Sequence, residues 1–381
     1  MTTFETVPIL LKSASSPDWP TTKSTFYNTM WRDFKYLIAY ILPGSAFVAL
    51  YAQGAWSFST VVVAFVCIPV LEQLLPQSVA NWSEEEESRQ SARTFFDLLL
   101  YLNVPILYAM LYDYFNLMAQ GGLATYELVG LTLSVGITVG AIGINVGHEL
   151  GHRARRGDQL LAQALLLPAL YQHFTIEHNR GHHKNVATDL DPASARRGQT
   201  TYAFWWQSVT GGYGNAWALE RERLERAGRP VLSWNNQMIR FTLMQALWLA
   251  ALGRLFGWNI LPWAIAVAVI GFLLLETVNY IEHYGLRRRL LPSGIYEIVQ
   301  PHHSWNSDHE LGRIMLYELT RHSDHHYKAN RKYQILRHFD QSPQLPFGYP
   351  ASILLALAPP LWFRLMHPLL DRLESQNTAQ V

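Results

Sequence analysis

Six long apolar stretches dominate the pattern of hydrophobic and polar positions along the chain. Each is roughly 20 residues long, the length that an α-helix needs to cross the hydrocarbon core of a bilayer. Short connections join the stretches in consecutive pairs, so the pattern predicts three helical hairpins. The predicted spans are Tyr36–Ala52, Phe58–Leu75, Phe95–Leu117, Tyr126–Gly147, Phe241–Phe256 and Ile260–Tyr280.

Two shorter apolar runs lie outside these spans. Leu160–Leu170 is too short to cross a bilayer, and we expect a core or interfacial helix there. For Pro350–Phe363 we expect an interfacial or re-entrant piece rather than a seventh span. The whole pattern predicts an all-α integral membrane protein, with one membrane domain over residues 31–370, a disordered amino-terminal tail over 1–30 and a carboxyl-terminal tail over 371–381.

Composition supports the membrane assignment and excludes several functions. Charged residues make up 15% of the chain, against about 25% in soluble globular domains. The net charge of +1 gives no support for nucleic-acid binding. Cys67 is the single cysteine, so the chain forms no internal disulfide and cannot hold a cysteine-ligated iron centre. Any electron carrier of that kind must therefore be a separate protein.

Lysine and arginine are concentrated in three regions: the amino-terminal tail, the segment after the fourth span and the segment after the sixth. By the positive-inside bias these regions are cytoplasmic, and an even number of spans agrees with that orientation. The tail lacks the features of a cleavable secretory signal. We therefore expect both termini, and a helical cap formed by the polar segments, on the cytoplasmic side of a bacterial inner membrane.

A first histidine cluster follows directly on the fourth span. His148 and His152 are four residues apart, which places both imidazoles on one helix face, where they can share a metal ion. The segment also satisfies the HExxH pattern of zinc metalloproteases, in which the glutamate is the base. Alone, this cluster leaves both interpretations open.

Two further clusters each end in adjacent histidines. His182 and His183 follow His178, and His325 and His326 follow His322. Spacings of four, for His178 and His182, and of three, for His322 and His325, keep side chains on one helical face. Adjacent residues point about 100° apart, so each pair is suited to reach two ions. Eight histidines in three short stretches suit iron, copper or zinc, and suit two ions better than one.

Other polar residues near the clusters are candidates to support the ligands. Metal-bound imidazoles usually donate their second N–H to a carboxylate or a carbonyl. His283, just after the sixth span, is an ambiguous ligand on position alone, while His302 and His303 are candidates for a supporting or a structural role. The nearby acidic candidates are Glu149, Glu177, Asp189, Asp191, Glu276, Glu282, Asp308, Glu318 and Asp324.

Five segments closely resemble the integral-membrane alkane 1-monooxygenases, a branch of the membrane desaturase and hydroxylase superfamily. These segments are NVGHELGH at 145–152, EHNRGHH at 177–183, NYIEHYGL at 279–286, HHSWN at 302–306 and RHSDHH at 321–326. Small departures from the usual family spelling occur at Arg153, at Asp189 to Asp191 and at Thr320. None of them removes a candidate ligand.

The resemblance implies six transmembrane helices and a non-haem di-iron centre under their cytoplasmic ends. It also implies nine histidine ligands, and it is the resemblance that adds His283 to the set. Carried over by position, the ligands are His148, His152, His178, His182, His183, His283, His322, His325 and His326.

The implied reaction is O2-dependent hydroxylation of a medium- or long-chain alkane to a primary alcohol. Acid–base or nucleophilic side chains cannot attack an unactivated C–H bond, so a metal centre is required. In the resembling family the electrons come from rubredoxin, which a NAD(P)H-dependent rubredoxin reductase reduces. We expect an acidic partner of this kind to dock on cytoplasmic arginines, namely Arg153, Arg155, Arg156, Arg196, Arg197 and Arg287 to Arg289.

Alternative functions share parts of the pattern. An oxygenase acting on methyl-aromatics, fatty acids or terpenoids would carry the same clusters with a different pocket, and a desaturase would use a similar ligand cage. An intramembrane zinc protease would need only the HExxH segment and would leave the adjacent histidine pairs unexplained. A metal transporter with histidine-rich loops would move metal without consuming O2. The arginines, for their part, also fit a role as topology determinants.

Overall fold

A computed structural model describes residues 33–379 of the chain, with side chains described as far as residue 375. Within that range lie six helices long and apolar enough to cross a membrane, which confirms the predicted number. Each begins and ends within four residues of the predicted limits. The predicted disordered tail over 1–30 lies outside the described residues. The six spans, in order, are Lys35–Ala52, Gly54–Leu74, Thr94–Gln120, Thr125–Gly151, Gln237–Phe256 and Trp258–His283.

The fourth and sixth spans pack closely at the centre of the bundle. A Cβ atom added to Gly136 would lie 2.6 Å from Cβ of Ile270, and one added to Gly140 would lie 3.1 Å from the carbonyl oxygen of Gly271. Small residues at such crossings let two membrane helices approach to backbone contact. The fourth span is accordingly the most buried of the six. This contact fixes the relative position of the two helix ends that carry His148 and His283.

Shorter helices form a cap at the ends of the fourth and sixth spans that carry those histidines. The Leu160–Leu170 run lies largely in one of them, Arg156–Leu166. The helical segment 174–185, which carries the second histidine cluster, follows, and its central turn, His178–His182, is π-helical. Other α-helices outside the six spans include Glu84–Ser91, Thr201–Arg226, Glu310–Met315 and His322–Tyr327.

Two final helices meet at a sharp bend. Tyr349–Ala356 and Pro359–Ser375 together are apolar enough to cross a membrane, but their axes differ by 118°. The bend falls inside the run Pro350–Phe363, for which an interfacial or re-entrant piece was expected. The second helix continues to Ala379, so most of the predicted carboxyl-terminal tail over 371–381 is helical.

Candidate metal centre

Nine histidines converge where the fourth and sixth spans meet the cap, and they form two adjacent groups. Within each group the candidate ligand atoms all lie within 4.8 Å of one another. The structure thus brings together the eight histidines of the three sequence clusters and His283, which the resemblance added. The five-histidine group consists of His148, His152, His178, His183 and His325, and the four-histidine group of His182, His283, His322 and His326.

Two spans and two cap helices supply the rings. His148 lies in the last turn of the fourth span, and His152 follows it one turn later. His283 is the last residue of the sixth span. The remaining six come from the segment 174–185 and from the helix His322–Tyr327. The site is therefore built on helix ends whose positions are fixed by the packing of the bundle.

A π-helical turn decides which histidines share a group. In the turn His178–His182 each N–H reaches five residues back, so His178 lies beside His183 rather than beside His182. In the last cluster His322 shares its group with His326 rather than with His325. The spacing of the letters therefore does not decide the grouping, because His178 and His182, like His322 and His325, fall in different groups. The two members of each adjacent pair do fall in different groups.

The spacing of ring nitrogens fits metal ligation. His148 Nε2 lies 2.8 Å from His178 Nε2, 2.9 Å from His325 Nε2 and 3.2 Å from His152 Nε2. A neutral imidazole carries one ring hydrogen, so N–H···N bonds cannot satisfy all of these contacts together. Two nitrogens bound at right angles to one ion, each about 2.1 Å from it, would be about 3.0 Å apart. The contacts match that value.

The four-histidine group shows the same spacing. His182 Nε2 lies 3.2 Å from His326 Nε2, and His283 Nε2 lies 3.1 Å from His322 Nε2. In both groups it is Nε2 that faces the other rings, which leaves each Nδ1 to face outward. The two groups are in contact, because the rings of His183 and His326 have centroids 4.4 Å apart.

Burial keeps the rings of the five-histidine group neutral. It lowers the pKa of His178, His183 and His325 well below the ordinary value, and neighbouring imidazoles lower it further. For His152, burial lowers the pKa to about 4. Neutral imidazole is the form that binds metal ions, so no proton must leave before binding at neutral pH.

Two carboxylates contact the outward nitrogens of the four-histidine group. Asp191 Oδ2 accepts a hydrogen bond of 2.9 Å from His182 Nδ1, and Glu282 Oε1 lies 3.2 Å from His322 Nδ1. Burial alone would raise the pKa of Asp191, but its contact with His182 holds that pKa below the usual range. Such carboxylates fix the ring orientation and raise the basicity of the ligating nitrogen.

Two more predicted carboxylates, Glu177 and Glu276, lie buried beside the same group. Glu177 accepts a hydrogen bond of 3.0 Å from Asn215, and burial raises its pKa to about 7. A divalent cation nearby would lower that pKa again. Glu276 accepts hydrogen bonds from Tyr171, at 2.7 Å, and from Ser208. Neither acid forms an ion pair with a lysine or an arginine among the described residues.

The structure separates the other predicted acids from the histidines. Glu149 bonds to Arg153 at 3.1 Å, although it is adjacent in sequence to His148. Asp324 is engaged by Arg331 at 2.5 Å. Asp189 has a side chain that is 69% exposed, and its ion-pair partner is Arg196. For each of these three candidates the structure shows an arginine as the partner and not a ligand histidine. The two remaining acids also pair elsewhere, Glu318 with Arg313 and Asp308 with His338.

His302 and His303 form a separate cluster with Glu297. The nitrogen and oxygen atoms of this trio are close enough to suggest a third metal site. However, His303 Nδ1 accepts a hydrogen bond from the Gln300 N–H, so the ring hydrogen is on Nε2, which lies 3.2 Å from Glu297 Oε1. This tautomer leaves His303 no free nitrogen for a metal. The side-chain contacts of His302 and His303 fit the structural one of the two roles that the sequence left open, and no contact with the nine histidines is among them.

The predicted docking arginines differ in availability. Arg153 is 10% exposed and pairs with Asp97 at 2.5 Å and with Glu149, so it cannot meet a partner protein. Arg197 pairs with Asp371 at 2.6 Å. Arg155, Arg156 and Arg196 are exposed. Of the three that follow the sixth span, Arg289 is the most exposed, and it pairs with Glu297.

An apolar pocket lies within the bundle near the helix ends that carry His148 and His283, although none of the nine histidines lines it. Asn145, one turn before His148, and Val278, five residues before His283, belong to its wall, as do residues of the first and second spans and of the helix Tyr349–Ala356. Its lining is almost wholly hydrocarbon. Apart from Asn145 and Tyr349, the wall is formed by Leu42, Ala64, Phe65, Ile68, Ile137, Gly140, Ala141, Leu274, Leu275, Val278, Gly312, Met315, Leu316, Leu319, Pro350 and Ile353.

Sequence reasoning missed the residues that join this pocket to the histidines. Tyr349 is completely buried, lines the pocket and donates a hydrogen bond of 2.8 Å to Glu282. Asn145 donates to the carbonyl oxygen of Leu316 at 2.9 Å and closes the wall between the fourth span and the cap. No helical spacing links Tyr349 to a histidine cluster, because it is far from every cluster in the sequence. Asn145 carried a signal, since it is a polar residue at the end of an apolar span.

Comparison with known proteins agrees with this geometry. A model of the fatty acid desaturase family matches residues 124–352, a range that contains all nine histidines. Alkane 1-monooxygenase 2 of Pseudomonas aeruginosa is 42% identical over 83% of this chain and 84% of its own length. Alkane 1-monooxygenase 1 of Alcanivorax borkumensis is 37% identical over 86% and 82%. The xylene/toluene monooxygenase hydroxylase component XylM of Pseudomonas putida is 27% identical over 87% of each chain.

The matches cover most of the chain and most of each relative, so they concern the membrane bundle and the histidine site together. The protein is thus an integral membrane protein that belongs to the fatty acid desaturase family and, within it, to the alkane 1-monooxygenases.

Proposed function

We propose that the protein hydroxylates the terminal methyl group of medium- or long-chain alkanes with O2 at a non-haem di-iron centre. The observation that carries the proposal is the pair of histidine groups, each with ligand-like nitrogen spacing, beside a pocket of hydrocarbon side chains. The balanced reaction converts an alkane, O2, two electrons and two protons into a primary alcohol and water. The names of the relatives support alkane as the substrate class.

The charges around the site support two divalent ions. Nine neutral imidazoles contribute no charge. Four buried carboxylates, Glu177, Asp191, Glu276 and Glu282, have no lysine or arginine partner within residues 33–375. Burying uncompensated carboxylates is costly, and divalent cations bound among the histidines would favour the ionised acids and balance their negative charge.

Iron is the metal that we propose. Neutral nitrogen ligands suit iron, copper and zinc, but zinc has no redox chemistry and cannot activate O2. When bound, the two iron ions would pass electrons from the donor protein to O2 and provide the site for O2 activation, which no side chain can do. The histidines would hold them, with Asp191 and Glu282 orienting His182 and His322.

The chain's own part in the reaction is to bind and orient the alkane and to exclude water from the site. An alkane has no group to hydrogen-bond, so the pocket can select it only by shape and by excluding water. Asn145 and Val278 line the pocket close to the ligand-bearing helix ends. A straight chain that fills the pocket would therefore present one end to the histidine groups.

We also propose the orientation and the redox partners. The distribution of lysine and arginine favours a cytoplasmic site, with both termini cytoplasmic, in a bacterial inner membrane. Because Cys67 is the only cysteine, the electron donor is a separate protein, which we take to be a rubredoxin served by a NAD(P)H-dependent reductase. The exposed Arg155, Arg156, Arg196 and Arg289 are the docking candidates that remain.

A panel of substrates tests the proposal. The reconstituted protein, supplied with a rubredoxin and its reductase, is given linear alkanes, fatty acids and methyl-aromatics, and the products and the bound metal are measured. We expect 1-alkanols and about two irons per chain. One zinc with no iron, or no product from any alkane, would contradict the proposal. Methyl-aromatic products alone would favour the second candidate, a methyl-aromatic hydroxylase, to which the similarity with XylM points.

A further inference from the structure

A buried carboxyl group lies beside the apolar pocket and takes no part in the metal centre. Glu72, near the end of the second span, is 3% exposed. Neither of its carboxyl oxygens has a hydrogen-bond partner of ordinary geometry, and no charged side chain of the described residues pairs with it. Buried polar groups nearly always have a partner. This carboxyl group is therefore a candidate binding site for a ligand that can form a hydrogen bond.

The second span places Glu72 on the face that lines the pocket. Ile68 and Glu72 are four residues apart in the helix Ile68–Leu74, so their side chains share one face. Ile68 belongs to the pocket wall and is 6% exposed, whereas Val70 and Leu71, which lie between the two, are exposed. The carboxyl group therefore continues the inward face of this span by one helical turn.

Two glycines make room for the carboxyl group. A Cβ atom added to Gly312 would overlap Oε1 of Glu72, and one added to Gly348 would overlap Oε2. Gly312 lines the pocket, and so does Pro350, two residues after Gly348. The carboxyl group is thus enclosed by the second span, by the helix that contains Gly312 and by the helix that follows Gly348. All three of these helices also contribute to the pocket wall.

The pocket wall suits an alkane, but the product of the proposed reaction carries a hydroxyl group. Such a group loses its hydrogen bonds to water when it is buried among hydrocarbon side chains, unless the protein supplies a partner. Of the polar side chains in the wall, Asn145 donates to Leu316 and Tyr349 donates to Glu282. The oxygens of Glu72 remain able to accept a hydrogen bond. A carboxyl group can do so whether or not it is protonated.

We propose that Glu72 binds the hydroxyl group of the primary alcohol, so that the pocket accepts the product as well as the alkane. This role rests on the proposed function, because the alcohol is its product. The hydroxyl group donates its hydrogen to an oxygen of Glu72, while the alkyl chain packs against Ile68 and the rest of the wall. An alkane makes the second contact without the first. The affinity for the alcohol therefore depends on Glu72, and the affinity for the alkane does not.

The test measures binding without turnover. The full-length protein in lipid nanodiscs receives no electron donor, and 1-decanol and decane each compete with a fluorescent hydrocarbon for the pocket. We expect Glu72→Leu, which removes the acceptor, to bind 1-decanol several-fold more weakly than the wild type does and to bind decane equally well. Glu72→Gln keeps an acceptor oxygen and should retain most of the affinity. Gln73→Leu is the matched control, because Gln73 is the exposed neighbour of Glu72, and it should behave as the wild type.

Difference infrared spectra give a second measurement. The addition of 1-decanol should shift a carboxyl stretching band of the wild type, because the new hydrogen bond changes the strength of the C–O bonds. Decane should not shift it, and Glu72→Gln should lack the shift.

Three results would overturn the role of Glu72. They are an unchanged affinity of Glu72→Leu for 1-decanol, an equal loss of affinity for decane, and the same infrared shift in Glu72→Gln. Each can occur while the wild type, supplied with its donor, still forms 1-alkanols, which would leave the proposed function intact. Failure of the wild type to form any alcohol would refute the proposed function itself.

Discussion

The two histidine groups differ in how they are supported. The five-histidine group has the larger number of rings, but no carboxylate of the described residues contacts their outward nitrogens. The four-histidine group has one ring fewer, and Asp191 and Glu282 contact two of its rings. A carboxylate strengthens a histidine as an electron donor. The larger number of ligands would thus strengthen metal binding at the five-histidine group, and the more basic ligands would strengthen it at the four-histidine group.

This difference implies that the two positions are not equivalent. An ion in the four-histidine group would lie closer to negative charge, since Glu177 and Glu276 are also buried near His182. The reduction potential of such an ion, and the rate at which it exchanges with solvent, should differ from those of an ion among five neutral rings. Variants that act on one group and spare the other can test this asymmetry.

Removal of one ring from each group should have the largest effect. His325→Ala deletes a ligand of the five-histidine group, and His326→Ala deletes its neighbour, which belongs to the other group. We expect each variant to lose all hydroxylation and to retain about one iron per chain, because each removes a ligand of a different ion. Iron analysis and Mössbauer spectra of the residual ion are the measurements.

His302→Ala is the control, because His302 lies outside both groups. It should keep full iron content. If His325→Ala and His326→Ala left the same residual spectrum, the two groups would not be separate sites. Retained activity in either variant would contradict its assignment as a ligand.

Removal of charge from one supporting carboxylate should have the next largest effect. Asp191→Asn keeps the shape of the side chain but weakens the bond to His182 Nδ1. Changes at such positions lower metal affinity or activity by about 10- to 100-fold. We expect that loss only at the four-histidine group, observed as selective release of one iron during titration with a chelator. Asp189→Asn, two residues away and exposed, should release both irons as the wild type does. An equal effect of both variants would contradict the role of Asp191.

Asp189 and Asp191 also show where sequence reasoning reaches its limit. The local sequence pattern was enough to predict the spans, the cap and the clustered histidines. Bilayer thickness sets the length of an apolar span, and helical geometry sets the spacing of residues on one face, so both are visible in neighbouring residues. The resemblance then supplied His283. Which of two acids in one loop turns inward depends on the folded loop. Asp191 turns inward because Ser194 and the N–H of Ala193 fix its carboxylate, while Asp189 meets solvent and Arg196.

The pairing of histidines was beyond sequence reasoning for a similar reason. The π-helical turn at His178–His182 shifts the helical phase, and the spacing of letters does not reveal it. Gly181 permits the close approach there, since a Cβ atom would lie 2.6 Å from Asn215 Nδ2 and 2.7 Å from Glu177 Oε1. Tyr349 was missed because its contact with Glu282 joins positions far apart in the chain.

A methyl group at Gly181 should disturb both groups at once. Gly181 lies in the turn that carries histidines of both groups, and Gly181→Ala forces Asn215 or Glu177 to move away from the added methyl group. Overpacking of this kind typically costs about 1–3 kcal/mol, so we expect a lower melting temperature and faster loss of both irons. Gly214→Ala is the control, because it lies in the neighbouring helix with open space around a Cβ atom. If Gly181→Ala released only one iron, the groups would be mechanically independent.

Charge reversal at the proposed docking arginines should have the smallest effect. Arg155 and Arg156 follow His152 of the five-histidine group closely in sequence, and both are exposed. Charges at the rim of an interface mainly govern association. Arg155→Glu with Arg156→Glu should therefore raise the KM for rubredoxin several-fold at low salt and leave kcat at saturating donor unchanged. The difference should shrink as salt screens the charges.

Arg254→Glu is the matched control for this reversal. Arg254 is exposed near the end of the fifth span that faces away from the histidine side, so its reversal should leave the KM for rubredoxin unchanged. Arg196 lies in the loop that follows Asp191, which supports the four-histidine group. An increase in KM with Arg196→Glu, and none with the Arg155 and Arg156 pair, would indicate that the donor docks beside that group. The electrons would then reach first the ion whose ligands Asp191 and Glu282 support.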